Sequence, residues 1–420
     1  MEYYEKLSVL GDKTRRRVVQ GLRDVAADEE LLDLADKESV TTESLMRSVR
    51  RVALVGQYRR LAQGMARLSK YKFKYTSPKP PEGAGQALVL DFEVKPKSFP
   101  PSNIHVLIGR NGVGKTHLLN LMTRALVEEG SKTRYTGQFT SEEEDSAGGP
   151  FVNLVSVTFS AFDPFDPLPD RREKSEGMRY SYVGLKRTVS GTTGKSKGGP
   201  KTLDMLTNEF ALSVKDCVTS SKGTRWRRAL EALEADPIFK EAEVAALADA
   251  DIDWDEVALE DELGKVLVGQ ASELFAKLST GHKIVLLTIT RLVETVEEKT
   301  LILMDEPESH LHPPLLSAFV RCLSDLLMDR NGVAIIATHS PVILQEVPEQ
   351  CVWKLRRNGA VLNADRPEIN TFGENVGVLT REAFGLEVIQ SGFYKLLQDA
   401  VNEEDDYDVR IGCNRVSGVG

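Results

Sequence analysis

At 420 residues the chain has material for roughly two or three domains, and 41% hydrophobic against 28% charged residues exclude general disorder. A formal charge of -9 excludes a polycation, so contact with nucleic acid would have to come from a local patch. The four cysteines, Cys217, Cys322, Cys351 and Cys413, form neither a C-x-x-C pair nor a zinc spacing, and no apolar run approaches the ~18 residues of a membrane span; reduced thiols and a cytoplasmic location are expected.

Residues 1–80 read as an N-terminal helical extension. Segments 15–34 and 44–68 carry apolar residues at roughly helical spacing, broken near Glu38-Ser39 and closed by Ser77-Pro78-Lys79-Pro80-Pro81. Seventeen Lys and Arg against eleven Asp and Glu give this part a charge of +6. Its clusters, Arg15-Arg16-Arg17, Arg50-Arg51 and Arg59-Arg60, fit either weak phosphate contacts with nucleic acid or a solvated helix surface.

Residues 85–169 begin an α/β unit. Segment 87–94 alternates like a half-buried strand, 104–108 is a second strand, a helix spans 116–129, and 151–162 returns to strand pattern before Asp163-Pro164-Phe165-Asp166-Pro167 stops it. Residues 170–274 read as a mostly helical insertion, with helices around 203–216, 225–235 and 241–250 after a Gly/Lys/Ser-rich passage at 191–201. Residues 275–400 resume alternation: helix 282–298, strand 300–304, helix 314–328, strand 333–337, a hairpin over 351–355 and 360–362, and a last segment at 393–400. Such alternation implies a mostly parallel sheet. Residues 401–420 form an acidic tail.

The chemistry concentrates in four stretches. Residues 104–120, IHVLIGRNGVGKTHLLN, hold G-x-x-x-x-G-K-T between a strand and a helix, the P-loop context. Gly109, Gly112 and Gly114 let the backbone turn its N–H groups toward phosphate oxygens, Lys115 neutralises the β- and γ-phosphates, and the Thr116 hydroxyl is suited to Mg2+. The strand 300–306, TLILMDE, ends in two carboxylates, Asp305 placed for Mg2+ and Glu306 for polarising a water. L-S-T-G-H-K at 278–283 puts Ser279 and Gly281 at a helix start, where they either receive a phosphate or merely cap the helix. Thr338-His339-Ser340-Pro341 follows a buried strand, at the edge where open α/β sheets bind ligands, although His339 also fits a satisfied loop histidine. His310 and His312 beside Glu308 leave a metal pair open.

In this order, P-loop, helical insertion, L-S-T-G-H-K, D-E-P-E-S-H-L-H-P and T-H-S-P, the chain resembles the ATP-binding-cassette (ABC) ATPases over residues 85–400. The resemblance is to the soluble branch that includes the overcoming-lysogenisation-defect nucleases, the recombination and chromosome-maintenance ATPases and the ATPase subunits of Septu-type anti-phage systems. It implies an α/β P-loop NTPase of ABC type, a mostly parallel sheet with a helical insertion lobe, here with an N-terminal helical extension. It implies ATP and Mg2+ as cofactors: Gly109, Asn111, Gly112, Val113, Gly114, Lys115 and Thr116 at the nucleotide, Thr116 and Asp305 at the metal, Glu306 as catalytic base and His339 at the γ-phosphate. It also implies that Ser279 and Gly281 complete the ATP site of an opposed copy in a head-to-tail dimer. Residues 309–312 then fall in a dimer-contacting loop, which displaces the metal role of their histidines. Two positions depart from the family pattern: Ser160 or Asp163 stands where transporters place a glutamine, and no adenine-stacking aromatic is evident beyond Tyr71, Phe73 and Tyr75.

The expected function is ATP hydrolysis that drives dimer closure and gates a separately encoded effector, a nuclease, in anti-phage defence. The alternative is an ATP-binding scaffold of the DNA-maintenance type with slow turnover. An intrinsic nuclease built on Asp406 and Asp408 is disfavoured, because 420 minus 339 leaves 81 residues after His339 and most of them serve the head. No membrane partner is expected.

Overall fold

The computed structural model describes residues 2–10, 12–49, 51–62, 70–80, 86–96, 98–128, 133–141, 150–160, 165–171, 178–188, 199–219, 222–249, 260–359 and 361–385. Asp163, Cys413, the segment 393–400 and the acidic tail lie outside them.

Among the described residues ten strands, in chain order, are β1 (Tyr71–Thr76), β2 (Val89–Val94), β3 (Ile104–Ile108), β4 (Gln138–Ser141), β5 (Asn153–Thr158), β6 (Arg179–Gly184), β7 (Thr300–Asp305), β8 (Val333–Thr338), β9 (Val352–Asn358) and β10 (Val361–Asp365). Seven form one sheet in the order β10-β9-β3-β8-β7-β5-β6, parallel throughout except for the β9–β10 hairpin at one edge. The other three make a small antiparallel sheet, β2-β1-β4. The fold is thus α/β with a mostly parallel central sheet.

The central strands are apolar on both faces because both are covered. Ile104, Val106 and Ile108 of β3, Ile302 and Met304 of β7, and Ala334 and Ile336 of β8 face one core; Leu107, Leu301, Leu303, Val333 and Ile335 face the other. This period of two divides each strand between two hydrophobic layers. The second layer is closed by the three-stranded sheet and by the helix after the P-loop, whose Leu118, Leu119, Met122 and Leu126 share one face.

Helices, in chain order, are α1 (Glu2–Val9), α2 (Asp12–Gly21), α3 (Glu29–Ala35), α4 (Lys115–Val127), α5 (Leu203–Val218), α6 (Gly223–Leu233), α7 (Pro237–Glu241), α8 (Glu260–Lys277), α9 (Thr280–Thr295), α10 (Pro313–Arg330), α11 (Pro341–Leu344) and α12 (Val376–Phe384). The first hydrophobic layer unites α5, α6, α9 and α10 with the sheet, so the insertion is part of the main core. Trp226 of α6 is fully buried and its indole N–H donates to Thr290 Oγ1 at 3.1 Å, while Lys222 and Arg225 donate to the carbonyls of Glu294, Val293 and Val296 at the end of α9. Cationic donors there satisfy carbonyls that a helix terminus leaves open.

Several elements differ from the sequence expectation. Tyr71, Phe73 and Tyr75 do not stack on a base: β1 alternates buried and exposed residues, and these three rings pack in the second layer, with Phe73 against Phe92 at 5.0 Å. Within the stretch read as helical insertion, residues 179–184 form an edge strand of the large sheet. Around 241–250 a one-turn α7 and a 3-10 turn, Val244–Asp249, replace a continuous helix. The N-terminal basic face is narrower than composition suggests, since Arg15 is buried, Arg51 pairs with Asp33 and Asp36, and Arg59 pairs with Glu29. Among the described residues no helix is long and apolar enough to cross a membrane. Cys217, Cys322 and Cys351 are buried thiols whose pKa values are each pushed up to about 12 by burial.

Two expectations concern stability. Trp226→Ala should cost about 3–5 kcal/mol, read from urea unfolding, because it opens a large cavity and orphans the Thr290 hydroxyl. His105 is buried beside Phe92, and burial, with a smaller push from Arg366, lowers its pKa to about 3. The folded chain therefore holds it neutral while the unfolded chain protonates it near the ordinary ~6.5, so its contribution is complete above that pH and is lost as pH falls toward 3. His105→Leu should flatten the acid limb of a stability profile in this window; an unchanged limb would contradict the assignment.

Candidate active site

The order of the parallel strands sets the site. β8 lies between β3 and β7, and the register aligns Ile108 with Thr338 and Asp305 with Ala337 on one side and Thr158 on the other. The P-loop after β3, the carboxylates ending β7 and the histidine after β8 therefore emerge side by side, at the edge where such sheets bind ligands.

The loop follows local necessity. Gly112 and Gly114 have φ of +79° and +107°, and Gly114 precedes the first turn of α4 in the left-handed region. Val113 is buried, Asn111 is exposed at the tip, and Thr116 is half-buried in the first turn. Lys115 is buried; its ammonium donates to the carbonyls of Gly109 at 2.8 Å and Arg110 at 3.1 Å and stands 3.9 Å from Glu306 Oε1. Burial lowers its pKa, while Glu306, Asp305 and Glu308 oppose that shift.

Glu306 adopts φ 45°, ψ 57°, a left-handed conformation that costs a non-glycine residue about 1–2 kcal/mol. The N–H of Glu306 donates to Ala337 O at 2.9 Å, which fixes the turn against β8. His339 Nδ1 lies 3.6 Å from Glu306 Oε1 and 3.1 Å from Glu308 Oε1. Lys115 and His339 thus converge on the Glu306 carboxylate.

Glu308 went unrecognised in the sequence as a site residue. Its Oε1 accepts from Thr338 Oγ1 at 2.6 Å and from the His339 N–H at 2.7 Å, so it holds the loop that carries His339. Thr158 was also missed. Among the described residues its buried hydroxyl has no hydrogen-bond partner, and Thr158 pairs in strand register with Asp305. A cavity of about 50 Å³ is lined by Thr116, Thr158, Asp166 and Asp305 among others. Hydroxyl and carboxylate oxygens with an unsatisfied buried member suit a hard cation such as Mg2+. Ser160 is half-buried at the end of this segment.

A larger cavity, about 640 Å³, opens between Arg110–Val113, the β9–β10 hairpin and Ala383–Gly385. That volume suits a nucleoside. Arg357 is among its lining residues and donates to Val113 O at 3.0 Å. Sequence pattern could not single out Arg357, because only the hairpin brings it to the loop.

Ser279 and Gly281 stand apart from this cluster. Ser279 is the exposed N-cap of α9; its hydroxyl lies 2.6 Å from His282 Nδ1 and accepts from the His282 N–H at 3.5 Å. Gly281 is buried where an added Cβ would lie 2.7 Å from the His310 carbonyl oxygen, so close packing of two backbones requires glycine there. His310 and His312 do not join Glu308: His310 Nε2 reaches Phe159 O at 3.1 Å, and His312 caps α10 through Nδ1.

Residues 265–345 match the family described as "AAA domain, putative AbiEii toxin, Type IV TA system". Among solved structures, "an inward-facing conformation of a putative metal-chelate type ABC transporter" is 16% identical and covers 77% of this chain and 89% of its own, with a TM-score of 0.36. An ATP-binding cassette of an ABC transporter in its ADP conformation is 13% identical, covering 68% and 87%, with a TM-score of 0.34. Protein ea59 of Escherichia phage lambda is 41% identical over 415 residues, 97% of this chain and 77% of the relative. The chain belongs to the family of that phage protein.

Proposed function

We propose that the chain hydrolyses ATP as an ABC-type ATPase, with two heads closing on two nucleotides. The observation that carries this reading is the convergence of Lys115 at 3.9 Å and His339 at 3.6 Å on the Glu306 carboxylate, directly after the P-loop and β7. Gly109, Asn111, Gly112, Val113 and Gly114 supply the phosphate cradle. The buried Lys115 ammonium brings positive charge to the β- and γ-phosphates, where the low dielectric strengthens it. Thr116 and Asp305 would hold Mg2+, whose role is to neutralise charge developing on the phosphates. Glu306 receives the proton of the attacking water, and its left-handed turn keeps the carboxylate aimed at the loop. His339, held by Glu308, is the group that senses the γ-phosphate.

The nucleoside occupies the cavity beside Arg357, with Phe384 in its lining as the aromatic surface. Ser279 and Gly281 act on the nucleotide of the opposed copy; the exposure of Ser279 supports this. Closure then gates a separately encoded effector, a nuclease acting in phage defence, a reading that rests on the resemblance of the motif order to that of Septu-type ATPase subunits. The N-terminal extension contributes at most weak phosphate contacts through Arg16 and Arg17, both exposed.

Glu306→Gln keeps the shape of the side chain but removes the base. ATP binding should persist while turnover falls by roughly 10²-fold or more, measured as phosphate release. Near-normal turnover in a homogeneous preparation would refute the role.

The trans arrangement predicts complementation. Ser279→Arg should bind ATP yet neither close nor turn over, and Lys115→Ala should fail at its own P-loop. A mixed dimer of the two retains one site with both groups intact, so mixing should restore activity that neither variant has alone. Demonstrated mixed dimers with no recovery would rule out the trans site.

A further inference from the structure

The turn that carries Ser279 is tied to a second cluster. Asp236, the N-cap of α7, is buried, and its Oδ1 accepts from the N–H groups of Ile238 at 2.9 Å and Phe239 at 3.4 Å. His282, one turn into α9, is also buried, with its Nε2 3.1 Å from the same Oδ1 and its ring edge-on to Phe239 at 4.9 Å. His312, exposed at the start of α10, turns its ring toward His282 at 6.1 Å between centroids. Ligand atoms of all three lie within 4.8 Å of one another. Three separate elements thus bring two imidazoles and a carboxylate to one point, buried on two sides and open at His312.

We propose that Asp236, His282 and His312 form a binding site for a transition-metal cation of the zinc class. Two nitrogens and one carboxylate oxygen match the donor set zinc prefers, whereas Mg2+ and Ca2+ favour oxygen alone. With bonds of about 2.0–2.1 Å, neighbouring ligands around a tetrahedral ion are about 3.3 Å apart, close to the 3.1 Å between His282 Nε2 and Asp236 Oδ1. His312 Nδ1 accepts from the Leu315 N–H in the metal-free chain; ligation through Nε2 shifts the ring proton from Nε2 to Nδ1 and gives up that helix cap. The fourth position faces solvent at the His312 side.

The other nitrogen of His282 connects this site to Ser279, with Nδ1 2.6 Å from Ser279 Oγ. Without metal, the carboxylate of Asp236 accepts only, so Nε2 carries the ring proton and Nδ1 accepts from the serine hydroxyl. With metal on Nε2, the ring proton resides on Nδ1 and is donated to Ser279 Oγ, as ligating histidines commonly do. The number of protons is unchanged, and the serine hydroxyl hydrogen turns outward, free for an acceptor. Metal uptake itself does not depend on the ATPase assignment; its consequence for Ser279 rests on the proposed contact of that serine with an opposed nucleotide.

The test uses the full chain, stripped of metal with a chelator and free of nucleotide, titrated with Co2+ in excess Mg2+ so that oxygen-rich sites are occupied. One Co2+ per chain should bind with the intense visible absorption of a tetrahedral site and without a thiolate charge-transfer band, and Zn2+ should displace it. His312→Asn retains a helix-capping acceptor but loses the ligand, and should weaken binding at least ~10-fold. His312→Cys should keep the ion and add the thiolate band, a gain of signal that a misfolded variant would not give. No stoichiometric uptake by the wild-type chain, a thiolate band in it, or undiminished affinity in His312→Asn would overturn the proposal.

Discussion

A buried ammonium at the mouth of a parallel sheet has to be neutralised, and Lys115 organises its surroundings accordingly. Two loop carbonyls accept from it, and three carboxylates, Glu306, Asp305 and Glu308, offset the desolvation that lowers its pKa. Neither arrangement forms without the other. The loop must curl tightly enough to point the Gly109 and Arg110 carbonyls inward, hence positive φ at Gly112 and Gly114, and β7 must end beside β3 with only β8 between them.

From that constraint the roles of neighbouring groups follow. Glu306 reaches toward Lys115 through a left-handed turn, and the hydrogen bond from its N–H to Ala337 O anchors that turn to β8. A non-glycine residue stays in such a conformation only where surrounding contacts over-determine it. Glu308 performs the complementary task. By accepting from both Thr338 and the His339 backbone it links the loop after β7 to the end of β8, so that the turns carrying Glu306 and His339 are tied together.

The insertion is coupled to this frame. Lys222 and Arg225 dock on the carboxyl end of α9, and the His282–Asp236 contact holds its amino end. The turn that presents Ser279 is therefore fixed at both ends of its helix, and the backbone approach at Gly281 presses it against the His310 loop.

Much of the frame was legible in the chain itself. The apolar runs at 104–108, 300–304 and 333–337 fall within buried strands, and the P-loop glycines, Lys115, Asp305, Glu306 and His339 announce themselves because backbone freedom and charge at fixed spacing admit few substitutes. Amphipathic period alone could not place β1 or β6, since short alternating segments acquire an identity only from the sheet edge they join. Tyr71, Phe73 and Tyr75 illustrate this: as letters they are candidate base-stacking rings, and as neighbours of Phe92 they are core. Glu308, Thr158, Arg357 and the grouping of Asp236 with His282 and His312 depend on contacts between residues distant in the chain or on the exact aim of a loop. Local pattern determines which segments can be strand, loop or helix; only tertiary packing decides which polar groups face one another, because that depends on strand order and on where each loop returns.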